Sequence, residues 1–363
     1  MEIGVAIQQL IADGTLARLM NNPSAQFGRE RRQYLGAQFL PEKRVEENAY
    51  REEGIRYRTI VANDGDRYSP AKIKGGDILG SMLVELGNSD IAREFKADAY
   101  DAMLRLMNNN ASMQAMTSLT NWVDSVINLA LIEHNERQRW QAIVGASVVR
   151  EGDNAYSETV AYPNPTGHRA AASAAWSTVT TDIFSDIAAM VDLLASKGYT
   201  VSRIVTSRQV LSWMSTNDTI KTRTGVAVVN GSGQITSAVG RASTDAINTM
   251  LQRDGLPAIE LYDLQYRTSE GSGYFLPRNT MVLFATGGMD QQFDLGDSEN
   301  IPATPDRIGY SAIGRAAGQS APGRVVVMEH FNRKPPRIEA EGWQTSLPVI
   351  TEPEAIAVIN SIT

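Results

Sequence analysis

Met116, Leu119, Val123, Val126 and Ala130 recur at 3-4-3-4 spacing, and Trp140 and Val144 carry the same stripe onward. This is the longest helical signal in the chain. It predicts a helix of roughly 30 residues, about 45 Å long at the usual rise per residue. A beam of that length sets the scale of whatever packs along it.

A second well-defined stretch runs from Ile259 to Gly288. Ile259, Leu261 and Asp263 alternate with Glu260, Tyr262 and Leu264, a Gly/Ser-rich turn follows at Gly271 to Gly273, and an apolar run spans Met281 to Ala285. The pattern predicts a strand pair. No nucleophile, metal ligand or phosphate loop flanks it, which points to shape rather than catalysis.

Composition narrows the field. Of 363 residues, 42% are hydrophobic and 21% charged, as in a folded globular protein. The net charge of −7 and pI near 5.2 make the chain as a whole no electrostatic trap for nucleic acid. There is no cysteine, which excludes disulfides, thiolate nucleophiles and cysteine-based metal sites. Met1 to Met20 lacks the basic start of a signal peptide, and no apolar run reaches the roughly 20 residues that would span a bilayer. Arginines outnumber lysines 27 to 7, a bias suited to planar, multidentate contacts between proteins.

Along the chain, residues 1 to 22 are predicted as an amphipathic helix ended by Asn21-Asn22-Pro23. From Ser24 to Gly54 charges crowd without an apolar face, which predicts an extended arm rather than a packed element. Ile55 to Val61 and Tyr68 to Leu86 form a long two-stranded excursion around Asn63 to Asp66, too poor in apolar residues to stand without a neighbour. Asn88-Ser89-Asp90 is expected to cap a helix that the triple Asn108-Asn109-Asn110 breaks. An α/β unit follows. It has a helix from Asp182 stopped by Lys197-Gly198, strand Val201 to Thr206, helix Arg208 to Ser215, a Gly-rich loop at Gly225 to Gly240, and helix Thr244 to Arg253. The tail is extended, in pieces kept short by Pro335-Pro336, Pro348 and Pro353.

Chemistry is sparse. His134, His168 and His330 lie far apart, without a carboxylate or second histidine at ligand spacing, and are expected to be structural. Gly309 to Gly314 has one residue too many for a nucleophile elbow and is expected to be a loop. Neither G-x-x-x-x-G-K-[ST] nor G-x-G-x-x-G occurs. Asp290, Asp294, Asp297 and Glu299 depart from the spacing of a calcium loop, so a solvated acidic loop is expected. Arg29, Arg31 and Arg32 could meet phosphate, but Glu30 interrupts them and acids follow, so salt bridges to protein are the expected use. The three matches to glycosylation sequons are discounted with no secretory signal before them.

The order of arm, long hairpin, beam helix, α/β unit and extended return resembles the major capsid proteins of tailed phages with the Hong Kong 97-type fold, in particular the lambda-type, or E, family. Tyr68-Ser69-Pro70-Ala71-Lys72-Ile73-Lys74 resembles the family's hairpin segment. Ala258 to Gly288, with Phe275-Leu276-Pro277-Arg278-Asn279-Thr280-Met281-Val282-Leu283, resembles its A-domain strand pair, and Leu347 to Ile356 its C-terminal strand.

The resemblance implies an α+β Hong Kong 97-like fold with an N-terminal arm at 1–54, an E-loop at 55–87, a P-domain with its spine helix at 88–175, an A-domain at 176–289 and a return to the P-domain at 290–363. It implies no enzyme, no cofactor and no membrane. The expected function is self-assembly into hexamers and pentamers of an icosahedral head around double-stranded DNA. Scaffold, portal and a decoration protein are the expected further partners, and assembly is expected in the host cytoplasm before virion maturation. Subunit contacts are expected at Arg29, Arg31, Arg32, Tyr68, Lys72, Ile73 and Lys74. Some relatives of this fold form Lys-Asn cross-links, for which Lys72 and Lys74 are the lysines in place. The lambda-type branch uses a cementing protein instead. Two other readings are an encapsulin-like nanocompartment shell and a soluble α/β enzyme or binding protein with its site near Gly225 to Gly240.

Overall fold

The computed structural model describes Val5, Gln8 and residues 33–58, 77–108, 112–152, 157–224, 227–229, 235–237, 240–269, 271–287, 290–294, 308–331, 334 and 336–361. The helix expected at 1–22 lies outside these residues, apart from Val5 and Gln8.

In chain order the first elements are α1 (Gly36–Phe39), β1 (Glu42–Arg44), β2 (Ala49–Arg58), β3 (Asp77–Glu85), β4 (Gly87–Phe95) and α2 (Ala97–Asn108). The long helix follows as α3 (Ser112–Val123), a π-helical segment (Asp124–Asn128) and α4 (Leu129–Gly145). Next come β5 (Ser147–Glu151), β6 (Ser157–Ala161), β7 (Arg169–Ala171), α5 (Ile183–Ser196), β8 (Tyr199–Thr206), α6 (Arg208–Thr216) and α7 (Asp218–Arg223). Then β9 (Ala227–Val229), β10 (Ile235–Ser237), α8 (Thr244–Arg253), β11 (Ile259–Leu261), β12 (Gln265–Arg267), β13 (Ser272–Tyr274) and β14 (Thr280–Gly287). The last are β15 (Asp290–Asp294), β16 (Gly309–Ile313), β17 (Val325–Phe331), β18 (Arg337–Ile350) and β19 (Ile356–Asn360).

The expected long helix is present and runs unbroken from Ser112 to Gly145, about 51 Å. Its buried face differs from the extrapolated stripe. Leu119 and Val123 are buried as expected, but beyond them Ile127 and Leu131 are buried, while Val126 and Ala130 are half-exposed. The π-helical segment explains the change. Its wider turn takes up an extra residue and shifts the inward position by one.

The chain forms two compact units. The first comprises the described residues of Met1–Tyr50, Val84–Arg139 and Tyr310–Val349. Its sheet has the order β1-β16-β18-β17, with β4 also paired to β18. Strand β18 alternates: Ile338 and Ala340 are fully buried between the half-buried Arg337 and Glu339 and the exposed Glu341. The inward side joins Tyr100 and Met103 of α2 and Leu119, Val123, Ile127 and Leu131 of the long helix in one core. Each such apolar side chain contributes about 1.5–3 kcal/mol on leaving water. Gly342 sits where the sheet meets the π-helical segment, and a Cβ there would collide with Ile127.

Four expectations change in this unit. Asn88-Ser89-Asp90 is strand, not helix cap, because β4 pairs antiparallel with β18 from Gly87↔Ser346 to Phe95↔Ile338, and the helix starts only at Ala97. Gly309 to Ile313 is a strand with every residue buried, not a loop. Pro348 does not shorten β18, which runs through it from Arg337 to Ile350. The arm region is packed from Leu35 onward: Phe39 and Leu40 are fully buried, and β1 pairs parallel with β16.

The second unit comprises the described residues of Arg51–Leu83, Trp140–Gly309 and Ile350–Thr363. Its main sheet has the order β11-β8-β14-β19-β7. The two runs expected to pair, Ile259 to Leu261 and Met281 to Ala285, are separated by β8, which takes β11 in parallel and β14 antiparallel. A parallel partner needs a crossover connection, which α6, α7 and α8 supply. The Gly/Ser turn instead closes the small hairpin β12–β13.

Helix boundaries follow their local signals. Asp182 accepts from the Ser185 amide at 3.2 Å to cap α5, and Gly198, at φ 81°, ends the turn after it. Ser207 and Ser243 cap α6 and α8 in the same way. At the end of α4, the Arg169 guanidinium donates to the carbonyls of Ile143 at 2.9 Å and Val144 at 3.2 Å. One cation thus satisfies orphan acceptors at the negative end of the helix dipole. Burial holds the Arg169 pKa below its ordinary value. Smaller sheets are β15-β2-β3, β5–β6 and β9–β10, the last within the segment expected to be a Gly-rich loop.

Candidate functional site

Arg29, Arg31, Arg32, Tyr68, Lys72, Ile73 and Lys74 all lie outside the described residues. What the structure places is their flanks. Directly after the arginines, Tyr34 donates from Oη to Glu133 Oε1 at 3.2 Å, on the long helix. On either side of the Tyr68–Lys74 tract in sequence, β2 and β3 are neighbours in a three-stranded sheet with β15, and Leu83 of β3 is 69% exposed.

The base of the arm is fastened by a buried polar cluster within the first unit. Glu136, fully buried on α4, accepts the Gly36 amide at 2.8 Å. A Cβ on Gly36 would stand 2.7 Å from the same carboxylate oxygen, so the approach needs glycine. Arg139, 1% exposed, reaches Glu136 Oε2 at 3.4 Å and Glu42 Oε1 at 3.5 Å. Arg324 pairs with Glu42 and donates from Nε to Gln344 Oε1 at 2.9 Å. Gln344 donates to Asn135 Oδ1 at 2.7 Å and to the Leu131 carbonyl at 3.1 Å, and Ser346 donates to the same Asn135 oxygen. Arm, helix and sheet are therefore joined through these side chains.

Burial by itself would raise the Glu42 pKa, but Arg324 and Arg139 outweigh it and hold the carboxyl below the ordinary carboxylate range. A cavity of about 210 Å³ beside this pair is lined by Glu42, Arg44, Ile313, Gly323 and Arg324. The cluster presents no nucleophile. Its chemistry is that of a fastener, since removing either member of a buried ion pair strands the other charge.

Sequence reasoning passed over this cluster. A signal was available in Asn135, Glu136, Gln138 and Arg139, a polar run set between the apolar Leu131–Ile132 and Trp140–Ile143 on a helix with no free side at that point.

The remaining candidates have structural surroundings. His168 is buried, with Nδ1 2.9 Å from the Ile356 carbonyl, and His330 lies against Tyr100, with Nε2 2.8 Å from its hydroxyl. Asp290 and Asp294 belong to strand β15, while Asp297 and Glu299 lie outside the described residues. Among the described residues no group of three or more histidines and acids is placed to hold a metal ion. No helix among them is long and apolar enough to cross a membrane.

Comparison with known proteins follows the same lines. Residues 100–310 match the family described as phage major capsid protein E, more than half of the chain. A search of curated proteins returns no match. Among solved structures, a protein assigned as the capsid protein of an Escherichia coli CFT073 prophage aligns over 98% of this chain and 99% of its own, with 14% identity and a TM-score of 0.57. A phage-related protein from Bordetella bronchiseptica RB50 aligns over 96% and 95%, with 13% identity and a TM-score of 0.53. These likenesses identify the fold as the Hong Kong 97 type. On the family match across its centre and the fold shared along its length, the chain belongs to the phage major capsid protein E family.

Proposed function

We propose that the chain is the repeating subunit of an icosahedral phage head, arranged as hexamers and pentamers around packaged double-stranded DNA. The match of residues 100–310 to a capsid family is the observation that carries this reading. The role is structural rather than enzymatic. In this reading residues 1–54 are the arm, 55–87 the E-loop, 88–175 with 290–363 the P-domain, and 176–289 the A-domain.

Physical features support it. The base of the arm is clamped by the Glu42–Arg324–Arg139–Glu136 cluster, which suits a segment that must bear load from outside its own subunit. Strands β2 and β3, which flank the Tyr68–Lys74 tract in sequence, are paired with one another. Contacts through Arg29, Arg31, Arg32, Tyr68, Lys72, Ile73 and Lys74 tie each copy to several others, so modest individual affinities combine through multivalency. Scaffold, portal and a decoration protein are the further partners, with assembly in the host cytoplasm. An overall charge of −7 favours reversible DNA packing, because a wall rich in cations would hold phosphates.

The test is to express the full chain with its neighbouring head genes and image the purified particles. Closed shells of uniform size that protect double-stranded DNA from nuclease are expected. Only monomers or small oligomers, or shells filled with an enzyme instead of DNA, would overturn the reading.

A further inference from the structure

In the second unit the hairpin β12–β13 presents a face that register fixes. Gln265 lies opposite Tyr274 and Arg267 opposite Ser272, with Tyr266 opposite Gly273 between them. Side chains two apart share one face of a strand, so Gln265, Arg267, Ser272 and Tyr274 project from one side and Tyr266 from the other. Tyr266 takes the packed side, its ring 5.2 Å from that of the buried Phe275. Arg267, on the opposite side, is exposed.

Two more arginines join it. Arg278, in the loop after β13, is exposed, and its guanidinium stands over the Tyr274 ring, 5.3 Å from the ring centre. The Ser207 hydroxyl donates to the Arg278 carbonyl, which brings the start of α6 to the same edge. The side chain of Arg208, the first residue of that helix, is 82% exposed. One carboxylate stands among the three cations, and it is already engaged: both oxygens of Asp263 accept the Arg208 amide at 3.1 Å, and Arg208 Nε lies 3.9 Å away. Neither Arg267 nor Arg278 is paired with a carboxylate among the described residues, and Glu270 of the turn lies outside them. A local surplus of positive charge thus sits on a chain whose net charge is −7.

The surroundings say which anion suits it. A protein partner anchors on apolar or aromatic side chains ringed by polar ones. Here the Tyr274 ring is covered by Arg278, and none of the exposed large hydrophobic residues falls within 265–279. A strongly positive, polar and wet surface is the character of nucleic-acid interfaces, and the planar guanidinium fork matches phosphate oxygens. Strands of three residues offer nothing long enough to lie in a groove, so the contact would reach backbone and leave base edges unread.

We infer that Arg208, Arg267 and Arg278 form a binding surface for the phosphate backbone of nucleic acid, independent of base sequence. It rests on the shell-forming reading, in which the occupant is packaged double-stranded DNA, and it names the residues that meet that DNA. Three contacts hold a duplex weakly and let go as counterions return. Many copies along one duplex add their contacts, so DNA is steadied without being fixed.

Two measurements test it. In the first, the unassembled full-length chain is titrated against a short fluorescein-labelled duplex. Three phosphate contacts should weaken binding about fortyfold as salt rises from about 50 to about 200 mM, at a slope of about −0.9 per contact. The Arg267→Gln/Arg278→Gln chain should lose only about fourfold over the same range, having one contact left, and Arg267→Lys/Arg278→Lys should restore the steeper dependence because it keeps the charge. A second duplex of unrelated sequence should bind equally. An unchanged salt dependence in the Gln variant, a strong preference between duplexes, or displacement by poly-glutamate as effective as by unlabelled duplex would overturn the inference, the last by assigning the surface to an acidic protein partner. In the second, assembled particles filled with DNA and particles emptied of it are treated with phenylglyoxal, and modified arginines are mapped by mass spectrometry. Arg267 and Arg278 should react several-fold more slowly in filled particles. Equal rates in particles that do hold DNA would overturn the inference and leave the functional reading standing. If no shells form, the functional reading fails, while the salt titration still decides whether these arginines hold a duplex.

Discussion

The main sheet of the second unit is apolar on both faces: all of Thr280 to Ala285 and all of Ile356 to Ile359 are buried. The β4, β18 and β17 part of the sheet in the first unit is apolar on one face, where Ile338, Ala340 and Met328 join the core, and acidic on the other. Strands covered on both sides read as unbroken apolar runs, whereas strands covered on one side alternate. The difference separates a sheet that holds its unit together from a sheet that also offers a surface.

Substitutions should divide along this line. The largest loss is expected for Leu283→Ala in β14, which opens a cavity in the doubly covered sheet and should lower unfolding free energy by about 4 kcal/mol in denaturant titration of the unassembled chain. A loss below about 1 kcal/mol would mean that this sheet is not the core of its unit.

Next, Glu42→Gln removes the carboxylate that Arg324 and Arg139 share, leaving Arg139 its pairing with Glu136, and should cost about 3 kcal/mol near neutral pH. Because Glu42 is held below the ordinary carboxylate range when folded, its contribution is complete above about pH 4.5 and is lost as pH falls through the depressed value. The gap between parent and variant should therefore close in acid, as read from melting curves taken from pH 7 downward. A gap that stays constant would assign the effect to packing.

Gly342→Ala should cost about 2 kcal/mol by pushing the covered side of β18 off Ile127. On the opposite side the sign reverses. Glu329→Gln removes a like-charge neighbour and should raise stability of the unassembled chain by less than about 1 kcal/mol, an increase that added salt erases. A loss there would end the distinction between the two faces.

What could be read from the sequence was local. Helix α8 begins after Ser243 and ends at Arg253 as predicted, and α5 lies between Asp182 and Lys197, because caps and stop residues act within a few positions. The beam helix was legible from its stripe, but the π-helical shift from Val126 to Ile127 was not, since an inserted residue leaves no mark in composition. Non-local decisions were the ones that misled. Asn88 to Asp90 has the chemistry of a helix cap, yet β18 recruits it as strand. Ile259 to Leu261 and Met281 to Ala285 do belong to one sheet, but nothing near them announces that β8 will lie between. The buried cluster was hidden for a similar reason: Glu42, Glu136, Arg139 and Arg324 become neighbours only through folding.

Strand β18 has a mechanical consequence. From Ile338 to Trp343 it is hydrogen-bonded to β17 on one flank and to β4 on the other. Tension applied along this strand would strain both ladders at once, in shear, instead of opening them bond by bond like a zipper. Shear is the stiffer mode of failure, so a wall under internal pressure would gain rigidity from a strand gripped on both sides.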